Sequence, residues 1–145
     1  MARGTLTVVN AFTETLANGT HDMDTHVFKM ALVSVMPSAS TTVLANEVTG
    51  GTSYTAGGIT LATTWTRPTN SKPTSWKTST VASWVADLAG PANIKAGVIY
   101  NFTNVGKEVV CYVDFTEDGT TPISLQTGDI SWQAGTDTVI LTVST

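Results

Sequence analysis

The sequence predicts an all-β domain, an antiparallel β-sandwich or jelly-roll-like barrel, with one short helical turn near the N-terminus. Three observations carry this. Apolar and polar residues alternate at period two along most of the chain. Gly, Asn, Asp and Pro interrupt the alternation about every ten residues, which leaves room for roughly eight to ten short strands. The length, 145 residues with 41% hydrophobic, fits one domain with a real core.

Taken in order, Thr5 to Val9 reads as a short strand, the first ten residues as a terminal arm. Ala11 to Ala17, "AFTETLA", reads as helix: Phe12 and Leu16 share a face at i, i+4, and Asn18-Gly19 ends it. "VFKMALVSV" alternates Val27, Lys29, Ala31 and Val33 against Phe28, Met30, Leu32 and Ser34, and Pro37 stops it. Short extended pieces follow at Thr42 to Leu44 and Gly58 to Leu61. Ala62 to Ser79 carries two prolines and two tryptophans without strong alternation, so a long loop is expected there. Strands resume with "TVASWVADL". "AGVIYNF", Ala96 to Phe102, is apolar throughout, as a strand covered on both faces should be. After a turn at Val105-Gly106-Lys107, "EVVCYVDF" sets Val109, Cys111, Val113 and Phe115 on one face and Glu108, Val110, Tyr112 and Asp114 on the other. Glu117-Asp118-Gly119 is a turn, and "ISLQTGD", "DISWQ" and "DTVILTVST" finish the chain.

Composition narrows the function. Charged residues make up 12% of the chain, about half the usual share, and the net charge is -4. Seven Lys and Arg, with no basic run, are too few in one place to neutralise a nucleic-acid backbone or dock on an anionic membrane. No apolar run approaches the roughly 18 residues of a membrane span. The N-terminus lacks an apolar signal core, so synthesis in a reducing cytoplasm is expected. The single cysteine, Cys111, sits in an alternating strand and reads as a buried structural thiol.

The one concentration of metal-type ligands is "HDMDTH", His21 to His26, which holds both histidines of the chain. In an extended segment the two imidazoles point to opposite faces; in one helical turn they again diverge. A polar turn, with Asp22 or Asp24 accepting backbone N–H groups and His26 at the surface, is therefore expected in place of a metal site. "GTSYTAGG" lacks the spacing of a nucleophile elbow, and its glycines read as positions of positive φ or close backbone approach. No catalytic residue, metal or cofactor is expected. Of the tryptophans, Trp84 and Trp132 fall in strands and read as core. Trp65 and Trp76 flank the Pro-rich stretch and suit either an interface or packing beneath their own loop.

Several segments, in order, carry a resemblance: "LANGTH", an aspartate, "VFKMALV", "VTGGTSYTAGGITL", "SWVADL", "IKAGVIYN" leading to "VDF", and "TGDISWQ". Together they resemble a family of small virion proteins of tailed bacteriophages. The most specific piece is Tyr54-Thr55-Ala56-Gly57-Gly58, supported by Val98-Ile99-Tyr100-Asn101. The chain departs from that pattern at Lys95-Ala96-Gly97, where an Arg-Tyr pair is common, and in the stretch from Ala62 to Ser79. The resemblance implies a structural role, foremost a capsid decoration or cement protein. Such a protein sits as a homotrimer on the outer surface of the head and binds the major capsid protein. A tail or tail-completion protein, or a carbohydrate-binding virion module, is the alternative. Exposed aromatics and loop position nominate Trp65, Arg67, Trp76 and Tyr54 as partner contacts, with the arm or the Ala62 to Ser79 loop reaching onto the capsid.

Overall fold

The two most apolar runs of the chain become its two central strands. In the computed structural model, which describes residues 3–66, 74–134 and 139–143, β7 (Ala96–Asn101) and β8 (Val109–Asp114) pair antiparallel, and all twelve of their residues are buried. Both faces of this pair are therefore covered by the chain itself, as the unbroken apolar pattern of β7 requires.

Around this pair lies a five-stranded antiparallel sheet in the order β1-β8-β7-β2-β3, with β1 at Leu6–Val8, β2 at Phe28–Val33 and β3 at Ile59–Leu61. Register puts Met30 opposite Ile99 and Ile99 opposite Cys111, so these three side chains share one face. Ala31, Val98 and Tyr112 line up on the other. The ladder slips by one residue between Ile99 and Tyr100, leaving Tyr100 opposite Val109. This bulge moves Val109 off the face that strict alternation gives it. Val98 and Val109 instead line one small cleft of about 130 Å³, walled by Val35, Met36, Val43 and Leu44. That segment is tied down by single bridges, Val33 to Glu47 and Val43 to Glu108.

A three-stranded sheet, β10-β5-β4, is built from β4 (Thr63–Thr66), β5 (Thr74–Thr78) and β10 (Val139–Val143). It meets the first sheet where Trp76 packs edge-on against Phe28, ring centroids 4.7 Å apart. A separate pair, β6 (Ala82–Trp84) with β9 (Ile130–Trp132), buries Trp84 and Trp132 as the sequence predicts. The single helix among the described residues, α1 (Ala11–Ala17), lies against β8 and buries Phe12. It ends at Asn18, whose N–H donates to the Glu14 carbonyl, with Gly19 at φ +79°.

Two expectations are corrected. The described part of the expected arm, from Arg3, is not free: Leu6–Val8 pair with Val113, Tyr112 and Cys111, and Val9 is core. The stretch from 62 to 79 is not one long loop but two paired strands, Thr63–Thr66 against Thr74–Thr78, with Trp65 opposite Trp76. Threonine is β-branched and strand-prone, and its neutral hydroxyl hides the in–out contrast that the alternation test relies on. Residues 67–73, which include Arg67, lie outside the described residues.

Candidate functional site

Two clusters collect the residues that the sequence singles out. The first joins the pieces of "TSYTAGG" and "VIYN". The Tyr54 hydroxyl donates to Glu47 (2.7 Å) and accepts from the Leu32 backbone N–H (3.1 Å), so it continues the edge of β2 beyond the end of β3. The Gly57 N–H also donates to the Glu47 carboxylate, and the Tyr100 hydroxyl donates to the Gly57 carbonyl at 2.8 Å. Gly58, at φ +72°, runs so close over β2 that a Cβ there would overlap the Met30 carbonyl. Glycine is needed for both reasons. Burial and the Glu47 carboxylate push the Tyr54 phenol well above its ordinary range, and burial pushes Tyr100 up to about 12. Both phenols therefore stay protonated and serve as clasps.

The second cluster is the "HDMDTH" loop. Asp22 Oδ1 accepts the backbone N–H groups of Asp24 (2.9 Å) and Thr25 (3.1 Å), the expected Asx-turn, and the Thr25 side chain together with those bonds lowers the carboxyl below its usual pKa. The histidines do not diverge. Nδ1 of His21 and Nδ1 of His26 both approach the side-chain amide nitrogen of Asn101, at 3.2 and 2.8 Å. The turn is tight enough for the Asp22 N–H to reach the His26 ring, and a distant residue, on β7, supplies the shared partner. Oδ1 of Asn101 accepts the N–H groups of Thr103 and Asn104, which fixes the amide with its NH₂ toward the rings. The two hydrogens of that NH₂ face three acceptors, these two ring nitrogens and the Thr20 carbonyl at 3.3 Å, and a neutral ring whose Nδ1 accepts carries its proton on Nε2. His21 Nε2 is buried without a partner. Burial lowers the His21 pKa, with Glu108 opposing and His26 assisting. Thr20 joins the same junction, its carbonyl accepting from the Asn104 amide at 2.9 Å. Among the described residues no group of three or more His, Cys, Asp or Glu is placed to hold a metal.

Beside this loop lies an open groove of about 560 Å³, lined by Gly19, His21, Asp22, Met23, Asp24 and Trp65. Trp65 is half-buried on its wall. Of the other nominated contacts, Trp76 is 0% exposed and Tyr54 is buried, so both are internal to the chain and neither offers a partner surface. Their polar-rich surroundings in the sequence conceal this. Sequence reasoning missed Asn101 because it stands in an apolar run. It also missed the most exposed large apolar side chains among the described residues, Leu88 at 90% and Val105 at 100%, which sit at loop tips. Cys111 is buried, and its thiol is pushed far above the usual range.

Comparison with protein-family models, curated proteins and solved structures finds no match for this chain.

Proposed function

We propose that this chain is a structural protein of a tailed-bacteriophage virion, a decoration protein that binds the outside of the head and bridges major capsid protein subunits. One observation carries the reading: the ordered set of segments that resembles the virion family. Its two most specific pieces, Tyr54 to Gly58 and Val98 to Asn101, meet through the Tyr100–Gly57 hydrogen bond. One of these pieces lies in the central strand β7 and the other in the loop clasped onto it, where a shared fold would leave its mark. The low charge and the apolar loop tips suit a chain that works against other proteins.

The energetics fit the role. A subunit that binds the assembled lattice, and not its free parts, stabilises the lattice by mass action. Many copies with modest contacts add up to a large effect. A homotrimer would use cyclic, heterologous contacts. The test is the copy number of this chain relative to the major capsid protein in purified particles, by quantitative mass spectrometry. A ratio near unity is expected. A few per cent assigns the chain to the tail, and absence from particles overturns the virion reading.

The groove beside Trp65 favours a second reading, a carbohydrate-binding virion module. A half-exposed indole face with the carboxylates Asp22 and Asp24 beside it is what a sugar ring needs for stacking and hydroxyl contacts. Glycan titration tests it: saturable binding lost on Trp65→Ala would support it, and no binding would remove it.

A further inference from the structure

The loop that carries both histidines is held by hydrogen bonds that only unprotonated Nδ1 atoms can make. We propose that residues 20–26 form an acid-released latch, fastened to the β7–β8 turn while both imidazoles keep a lone pair on Nδ1 and freed when either gains a proton there. The inference is independent of the virion reading.

The geometry leaves Asn101 no alternative. Its Oδ1 holds the N–H groups of Thr103 and Asn104 at 3.1 and 3.3 Å, so a flipped amide would set NH₂ against two N–H donors. In its present orientation the NH₂ meets His26 Nδ1 at 2.8 Å, His21 Nδ1 at 3.2 Å and the Thr20 carbonyl at 3.3 Å, all three on the loop, and the two ring nitrogens accept only while they stay unprotonated. An imidazolium donates at both nitrogens. Protonation of either ring therefore sets a donor against a donor inside a buried junction, and protonation of both adds charge repulsion. The Asp22 N–H, which also points at His26 Nδ1, would lose its acceptor at the same moment.

The surroundings set the direction. From α1 and β2 the rings facing His21 are Phe12 and Phe28, at 5.4 and 6.1 Å, both apolar. The residue before β8, Glu108, attracts a proton to His21, and His26 repels it, but burial outweighs both and favours the neutral ring. On the loop itself Asp22 is turned to its own backbone N–H groups and is also influenced by His26. From the turn after β7, Asn104 contributes an uncharged donor to the Thr20 carbonyl. Burial therefore keeps the His21 side of the latch closed to a lower pH than an ordinary histidine would hold it. Release would move Gly19 to Asp24 away from Trp65 and open the groove between them.

Amide hydrogen exchange of the whole chain, corrected for intrinsic rate, tests the latch at about pH 7.5 and about pH 5. Residues 22–27 and 103–104 are expected to lose protection roughly tenfold at the lower pH while the amides of β7 and β8 keep theirs. Asn101→Asp should reverse the sign. Its carboxylate would keep an acceptor for Thr103 and Asn104 and offer a second oxygen to protonated Nδ1, so the loop would become better protected on acidification. Equal protection of the wild-type loop at both pH values overturns the proposal, and so does acid loosening in Asn101→Asp of the same size as in wild type. Should that variant not fold, the imidazole nitrogens of the wild type decide by NMR. A proton on Nδ1 of either ring at about pH 7.5 rules the latch out.

Discussion

A single amide holds the polar junction of this fold. Asn101 is 0% exposed and has the His21 and His26 rings, the Thr20 carbonyl and the N–H groups of Thr103 and Asn104 as partners. Asn101→Ala takes the partner from the buried His21 ring and from the less buried groups around it, so a loss of about 2–4 kcal/mol is expected, read as a lower urea midpoint with an unchanged slope. Gly58→Ala should cost at least as much, because a methyl group would have to displace the Met30 backbone and adopt a positive φ. Acid adds a third effect. The unfolded chain binds a proton at His21 near pH 6.5, whereas the folded chain resists it. Stability is thus complete above that value and falls as pH drops toward the lowered folded pKa. Asp22, depressed from 3.8, and Asp87, held at about 2 by the N–H groups of Thr52, Ser53 and Ala89, lose their contributions only below 3.8. Denaturation midpoints measured from about pH 7.5 to about pH 5 should therefore fall, and His21→Phe should flatten that slope. The Asx-turn at Asp22 is legible in the sequence because it is local. The Asn101 partnership joins residues some eighty positions apart, which no local pattern encodes.

Among the elements, the β4–β5 hairpin shows how one side chain seats a whole layer. Trp65 and Trp76 stand opposite each other across the strands, yet only Trp76 reaches the main sheet, where it meets Phe28. Trp76→Ala should cost about 3–5 kcal/mol. Trp65→Ala, at a half-exposed wall, should cost under about 1 kcal/mol, and paired thermal unfolding of the two variants checks the contrast. Strand positions are readable wherever the sequence alternates or runs apolar without a break: β2, β6, β7 and β8 fall where those two patterns set them. β4 and β5 were not, since Thr serves equally on either face and the intervening prolines, Pro68 and Pro73, suggested a loop. The bulge at the Ile99–Tyr100 step was equally hidden, because a one-residue slip depends on the partner strand as much as on its own sequence.

At the scale of the whole molecule, the burial of β7 and β8 on both faces has a functional consequence. The β7–β8 pair, sealed by its own chain, offers no face to a partner, and the exposed large apolar side chains among the described residues all lie outside the strands, in loops. Leu88 and Val105 are the extreme cases, nearly or wholly exposed at loop tips, where an apolar side chain gains nothing for folding. If the chain decorates phage heads, such residues bury their surface only on the lattice. Leu88→Ser and Val105→Ser should then leave the melting temperature within the small scatter of surface substitutions, roughly ±0.5 kcal/mol in stability. Occupancy on heads should fall in both, as read by co-sedimentation of purified protein with undecorated particles. Trp76→Ala supplies the opposite control, because it should lower the melting temperature strongly while leaving those tips chemically intact. Unchanged co-sedimentation of both Ser variants would move the contact to the strand edges, of which β4, carrying Trp65, borders the groove.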